Sequence, residues 1–373
     1  MTNTEIRYEN RRTGRSWPIG PPLWRAPDDH GPVELTAGSG LSPSDIEASE
    51  GSLWRYAKAI RTKRHVTLGE GLTPLVPAEW QNRPVRFKCE HIQPSGSYKD
   101  RGISILINEM AERGISEVLE DSSGNAGAAM ATYAAAVGIG CAIYAPASAP
   151  EGKLLQIMAM GAELHRVPGT RQDTTDAAMA AAETRFYASH CWQPFFLEGT
   201  KTLAFELWEQ MGFAVPDHVI MPAGQGGNIL GLAIGFAELL AGSQIERIPR
   251  LHLVQAANCS PLVDMFEGRE PRPVSPTVAD GIASARPVRG AEIVQAVIAC
   301  DGTMVRVSEE AIGTALRQLA AMGWYVEPTT AAGAAGLTTL MQNGTIQQDE
   351  STVLILTGHG LKAGQSIARI LGA

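Results

Sequence analysis

The 373-residue sequence predicts an α/β protein built on parallel sheets covered by helices on both faces. Three observations predict it. From residue 85 onward, short apolar, β-prone runs alternate with longer helical ones. Those runs are apolar almost throughout, as strands buried on both sides must be. Composition adds 39 glycines and only 6% Phe, Tyr and Trp, which favours tight turns and close helix packing over an aromatic sandwich. The length suits two or three domains, or one large α/β body with a subdomain. Apolar residues at 44% suffice for a core, and charged residues at 19% are too few for a disordered chain.

The first fifty residues are rich in Pro, Gly and charge, with Trp17 and Trp24 interspersed, and read as an extended arm with little regular structure. Residues 52–61 read as a short helix. Strands are expected at 85–89, 117–119, 141–144, 163–167, 218–221, 251–255, 304–307 and 352–356. Helices are expected at 103–112, 126–137, 151–160, 174–188, 229–240, 309–322 and 361–371. Pro-rich stretches at 261–276 and 285–290 read as surface connections. In such folds ligands sit where the carboxyl ends of strands lead into helix N-termini.

The net charge of −8 argues against nucleic acid or an anionic membrane as partner, but not against a small anion held by a local site. Cys89, Cys141, Cys191, Cys259 and Cys300 are scattered, and none has metal-ligand spacing, so reduced thiols of a cytoplasmic chain are expected and no metal. The opening Met-Thr-Asn-Thr-Glu lacks the pattern of a secretory signal. No apolar run reaches transmembrane length; the Ala-rich 126–136 suits a buried helix.

Three segments fall where ligands are expected. Gly224-Gln225-Gly226-Gly227-Asn228 follows a strand and opens a helix. Glycines let backbone N–H groups approach an anion, and the helix start adds unpaired donors, though a plain strand–helix turn can look alike. Ser122-Ser123-Gly124-Asn125 has the same placement; it can be a helix cap or a cradle for a small carboxylate. Lys99 follows the Pro94-Ser95-Gly96-Ser97 turn and adjoins Asp100 before an apolar helix. A lysine there, near a bound phosphate, would have a lowered amine pKa suited to Schiff-base chemistry, whereas a lone lysine is commonly a solvated charge.

Ser97-Tyr98-Lys99-Asp100-Arg101-Gly102, Ser122-Ser123-Gly124-Asn125-Ala126-Gly127 and Gly224-Gln225-Gly226-Gly227-Asn228 together resemble, in this order, the fold-type II enzymes that use pyridoxal 5′-phosphate (PLP), the tryptophan synthase β-like fold. Gly69-Glu70-Gly71-Leu72-Thr73-Pro74-Leu75, Glu327-Pro328-Thr329-Thr330-Ala331 and Leu356-Thr357-Gly358-His359-Gly360-Leu361-Lys362 are most similar to the threonine synthase branch. The resemblance spans about 69–362. It implies a two-domain fold with PLP in the cleft: residues 1–68 an N-terminal arm with a degenerate zinc-ribbon-like segment, 69–92 with 189–373 a large PLP-binding domain, and 93–188 a small domain. It implies that Lys99 carries the cofactor as a Schiff base and moves the Cα proton. By the same resemblance Asn125 bonds the 3′-oxygen, Ser122, Ser123 and Gly124 meet the substrate carboxylate, and Gly224, Gln225, Gly226, Gly227 and Asn228 cradle the phosphate. Thr357 would face the pyridine nitrogen and leave it largely unprotonated, which favours elimination and replacement over transamination. His359 reads as a turn or packing histidine. A homodimer acting on a small amino acid is implied.

Two stretches depart from the branch. Where relatives often carry zinc-ligating cysteines, this chain has Tyr8-Glu9-Asn10-Arg11-Arg12-Thr13-Gly14 and, at 23–31, no thiol, so structural zinc is not expected. Where threonine synthase has an Asn-Pro-x-Arg-type segment for the substrate phosphate, this chain has Gln193-Pro194-Phe195-Phe196, with Lys153, Lys201 and Arg286 as candidate replacement cations. The leading expectation is a PLP-dependent lyase resembling threonine synthase, with elimination or replacement at the β/γ carbon of an amino acid such as O-phosphohomoserine. The alternatives are a β-eliminating ammonia-lyase or dehydratase on a hydroxy- or diamino-acid, and a non-catalytic PLP-binding protein.

Overall fold

The computed structural model describes residues 6–149 and 151–372, the side chain of Lys153 excepted. Two helix-flanked sheets carry the chain. The larger has strand order Met304–Val307, Arg250–Ala256, His218–Pro222, Thr352–Ile355, Arg83–Lys88, Leu75–Trp80. Every neighbouring pair is parallel except the last. The smaller runs Glu163–Val167, Gly140–Pro146, Glu117–Glu120, Phe186–Tyr187, all parallel. All residues of His218–Pro222 and Thr352–Ile355 are buried, as the unbroken apolar runs require of strands covered on both faces.

The expected strands all occur, most within a residue or two of their expected ends. The differences have physical causes. The strand Leu75–Trp80 carries Pro77, which only an edge strand tolerates, and it turns back through Gln81 and Asn82, both at positive φ (52° and 58°), as a tight hairpin requires. The helices Pro194–Thr200, Pro261–Phe266 and Pro328–Gln342 each begin with proline, where a missing N–H is harmless. Reading 261–276 wholly as a connection overlooked that asymmetry. Gly290–Ala299 is also a helix. The helix expected to reach residue 188 ends at Ala181, and Phe186–Tyr187 joins the smaller sheet. Residues 52–61 contain a 3-10 turn, Leu53–Tyr56, rather than an α-helix.

The N-terminal arm is more ordered than its composition implied. Arg7–Asn10 pairs antiparallel with both Arg15–Pro18 and Glu34–Leu35. Tyr8 is buried against the edge of Phe195, with ring centroids 6.4 Å apart. Between the stretches 8–14 and 23–31, Asp28 accepts hydrogen bonds from Asn10 (2.9 Å) and Thr13 (2.6 Å), and Arg12 pairs with Asp29 at 2.8 Å. These contacts join the two stretches.

Beneath the helix Lys99–Glu112 lies a buried ionic network. Arg101 pairs with Glu90 at 2.7 Å and Glu206 at 2.8 Å, Lys88 also meets Glu206, and Thr73 donates to Glu90 at 2.6 Å. Burial opposes ionisation of Glu206, but Arg101 and Lys88 outweigh it and hold the carboxyl at about 2. Removing one partner of such a network strands an uncompensated charge and typically costs about 3–5 kcal/mol. The network fixes the start of this helix, and with it Lys99.

Candidate active site

Lys99 is the first residue of the helix Lys99–Glu112. The segment before it is clamped to the chain beyond the strand Thr352–Ile355: Tyr98 N–H donates to Thr357 C=O at 3.0 Å, and His359 N–H donates to Gly96 C=O at 3.0 Å. This pairing brings Thr357 beside Lys99 across more than 250 residues of chain. The Lys99 Nζ lies 4.7 Å from the Tyr98 ring centroid and 5.2 Å from that of Phe196. Among the described residues no carboxylate forms an ion pair with it. Asp100 turns away and accepts from the Ser95 N–H at 2.5 Å and from the Ser95 hydroxyl. Burial pushes its carboxyl up to about 7, with the Ser95 donors opposing.

The glycine segment 224–228 leads from the strand His218–Pro222 into the helix Gly227–Ala241. Gly226 caps the helix at φ 69°, a left-handed conformation that side chains disfavour, and a Cβ there would stand 2.3 Å from Ile293. Among the described residues the N–H groups of Gly224, Gln225, Gly226, Gly227 and Asn228 make no hydrogen bond to protein. Asn228 is 2% exposed, yet neither its amide nitrogen nor its amide oxygen has a partner. Gln225 is different: its side chain donates to Ser284 at 2.7 Å and accepts from the Val288 N–H at 3.0 Å, so only its backbone faces the segment.

The segment 121–125 leaves the smaller sheet and opens the helix Asn125–Val137. Ser122 accepts from the Gly124 N–H at 3.3 Å, and Ser122, Ser123, Gly124 and Asn125 are half-buried. Asn125 donates to both carboxylate oxygens of Glu327, at 3.1 and 3.0 Å. Asp121 anchors the segment from below, accepting from Thr175 (2.7 Å), Tyr187 (2.9 Å) and Ser189 (3.1 Å) and pairing with Arg171 at 2.9 Å. Burial opposes its charge, but Arg171 and the hydroxyls outweigh this and hold it at about 2.

Thr357 is buried and shares a 2.9 Å hydroxyl contact with Thr330, whose oxygen also accepts from the N–H groups of Thr357 (3.1 Å) and Gly358 (3.0 Å). Thr330, Glu327 and Arg171 had no assigned place in the sequence reading. The first two lie in the Glu327-Pro328-Thr329-Thr330 motif, which was visible but carried no role. Phe196 packs inward. Its ring is fully buried, wedged between Gly102 and Gly227, whose Cβ positions would lie 2.3 and 2.7 Å from it. Gln193 is buried too and donates to Tyr187 C=O at 3.0 Å. Lys201 pairs with Glu198 and Glu238, both at 2.9 Å, and Arg286 is exposed. Lys153's side chain lies outside the described set.

An amine free of ion pairs at a helix start, with an unpaired backbone cradle on the same Phe196 ring, is what a phosphate-bearing aldehyde cofactor needs. The chain belongs to the family described as pyridoxal-phosphate dependent enzyme, which it matches over residues 66–358. Within that family it is a PLP-dependent lyase resembling threonine synthase. It is 35% identical over 337 residues to the threonine synthase of Methanocaldococcus jannaschii, covering 86% of this chain and 83% of that protein. It is 35% identical over 305 residues to that of Mycobacterium leprae, covering 80% and 83%. Among solved structures it resembles a T.th. threonine deaminase, with TM-score 0.65 and 27% identity over 86% of this chain and 98% of that one. It shares the fold of maize serine racemase, with TM-score 0.68 and 22% identity over 80% and 92%.

The residues present fit PLP. Five consecutive unpaired N–H groups and the unpartnered Asn228 amide suit a phosphate without any basic side chain. The Lys99 amine suits an aldehyde, and the Thr330–Thr357 hydroxyl pair offers a neutral partner to a ring nitrogen.

Proposed function

We propose that the enzyme eliminates or replaces a substituent at the β or γ carbon of an amino acid such as O-phosphohomoserine. The observation that supports this most is the placement of the Lys99 amine, free of any described carboxylate and bordered by the Tyr98 and Phe196 rings, with Gly227 packed on the same Phe196 ring. Bound there, PLP supplies a sink for the electrons left when a Cα proton departs. Lys99 Nζ tethers the cofactor and, once released, holds and returns that proton. The N–H groups of Gly224, Gln225, Gly226, Gly227 and Asn228 orient the phosphate, and Asn125 donates to the 3′-oxygen. Ser122, Ser123 and Gly124 receive the substrate carboxylate at the start of the helix Asn125–Val137. The neutral Thr357 leaves the ring nitrogen without a proton, which tempers the sink and suits elimination.

A second reading, a β-eliminating ammonia-lyase or dehydratase on a hydroxy- or diamino-acid, is favoured by one observation. The position expected to hold a phosphate-binding arginine is the fully buried Phe196 ring, and nearby Lys201 is tied to two carboxylates. A charge-assisted phosphate contact is worth about 2–5 kcal/mol, so losing it turns selection toward smaller substrates. Profiling phosphate, threonine, ammonia and keto-acid release decides between them: stoichiometric phosphate with threonine supports the first, ammonia with keto-acid the second. Lys99→Ala is expected to lower turnover by about a thousandfold or more in either case. Borohydride reduction and peptide mapping should place a pyridoxyl group on Lys99; a mark on another lysine would refute the assignment.

We also assign the two sheets to a large domain of 69–92 with 189–373 and a small domain of 93–188. A cytoplasmic homodimer completes the proposal, supported by five unpaired cysteines and by the family resemblance. Sedimentation of the holoenzyme tests the dimer.

A further inference from the structure

The larger sheet carries a buried pair of histidines that the chemistry above does not use. His218 opens the strand His218–Pro222, whose far end leads into the segment 224–228, and His252 lies on the parallel neighbour Arg250–Ala256. The two are 0% and 1% exposed. His218 Nδ1 and His252 Nε2 are 2.8 Å apart. The ring centroids are 5.1 Å apart and the planes differ by 27°. That separation equals the nitrogen–nitrogen distance plus the two ring radii. The contact therefore runs along the line on which one nitrogen's lone pair and the other's N–H point.

The partners at either end fix the protons. The Glu350 carboxylate lies 2.9 Å from His218 Nε2 and also accepts from the Gln347 N–H (2.7 Å) and Arg250 (2.9 Å). The Gln347 N–H, aided by His218 and Arg250, outweighs burial and holds Glu350 at about 2. An ionised carboxylate only accepts, so His218 carries its proton on Nε2 and offers a lone pair at Nδ1. At the other end the Thr303 N–H donates to His252 Nδ1 at 3.2 Å, so His252 also carries its proton on Nε2. The two assignments, made from opposite ends, agree in the middle: His252 Nε2–H donates to His218 Nδ1. All four ring nitrogens are thus used while both rings are neutral. An added proton can enter only at one of the two Nδ1 atoms, and at either it displaces a hydrogen bond.

We propose that the His218–His252 pair is a proton-operated clasp on the larger sheet: it ties the two strand starts to Glu350 and Thr303 while both rings are neutral, and it releases them in acid. Thr303 leads into Met304–Val307, the edge strand, which has a sheet partner on one side only, so that strand is released first.

The surroundings support this. Burial lowers both imidazoles, His252 to about 3; the Glu350 hydrogen bond opposes it at His218, whereas His218 and Arg250 add to it at His252. Asp217, paired with Arg247 at 2.5 Å, also faces His218. Both folded values lie below the unfolded value of 6.5, so the unfolded chain binds these protons more readily. The stability contributed by the pair is full above about pH 6.5 and is lost as pH falls from there through the folded values.

The clasp does not rest on the cofactor assignment. Urea unfolding of the PLP-loaded enzyme is followed from pH 8 to pH 5 for the wild type and for His252→Gln. Between pH 6 and pH 5 the unfolding constant of the wild type should rise about fivefold to tenfold more than that of the variant, the uptake of one proton. Histidine-selective ¹⁵N spectra of the native wild type need no variant to fold. A coupling across the nitrogen–nitrogen hydrogen bond identifies the pair, and at pH 5.5 both rings should still be neutral with the proton on Nε2. A charged ring in the native protein at pH 5.5, a proton on either Nδ1, or equal pH slopes in the wild type and a folded variant would overturn the proposal.

Discussion

The two loops that flank Lys99 are built from opposite materials. The segment 224–228 offers an anion its backbone: five N–H groups, a left-handed Gly226 and a buried Asn228, held in place by apolar packing on Phe196 and Ile293. The segment 121–125 is half-buried beyond the buried Asp121 and rests on side chains, Asp121 with Arg171 on one side and Asn125 with Glu327 on the other. A backbone cradle tolerates change only where glycine's geometry survives. A side-chain scaffold can be retuned one residue at a time. The difference teaches that, with the proposed roles, cofactor retention and substrate choice would rest on separable parts. Of the two departures, Gln193 joins the side-chain scaffold through Tyr187, whereas Phe196 packs under the backbone cradle.

The sharpest way to break the comparison is Gly226→Asp. The left-handed φ, the collision with Ile293 and a carboxylate facing the cradle should together weaken PLP binding by about 2–4 kcal/mol, or roughly thirtyfold to a thousandfold. Cofactor titration against the wild type measures it; unchanged affinity in a folded variant would move the phosphate elsewhere. Arg171→Ala attacks the other loop. It removes the cation that holds Asp121 ionised and should raise KM for the amino acid about tenfold while cofactor affinity stays within twofold. An equal loss of both would show that the loops are not separable.

The third effect is on stability and concerns Asp100, which belongs to neither loop. Its folded pKa of about 7 lies above its ordinary value of 3.8, so the native state holds the proton more tightly than the unfolded chain. The stability it contributes is full below about pH 4 and is lost as pH rises through about 7. Asp100→Asn should therefore flatten the decline in stability between pH 4 and pH 7, by a few kcal/mol at most. Denaturation midpoints across that window test this; an unchanged slope would mean that the carboxyl is ionised throughout.

Much of the site could be read from consecutive residues. A strand followed by Gly224-Gln225-Gly226-Gly227 already specifies a helix start with unpaired donors, because turn chemistry and helix-terminal donors are local properties. Lys99 after a Pro-Ser-Gly-Ser turn was legible for the same reason. The starts of Pro194–Thr200 and Pro328–Gln342 were written in their prolines, yet apolar periodicity alone passed them by.

By itself, then, the sequence determined the strand–helix alternation, the parallel sheets and the two ligand-facing turns, since each depends on periodicity within a few residues. Only the tertiary structure decided which groups meet. Asn125 finds Glu327 across 202 positions, Glu120 finds His190 across 70, and Phe196 is driven inward between two glycines from separate helices. Such encounters depend on how crossover connections stack the two sheets and close their helices on one another. The composition of any one segment carries no record of that packing.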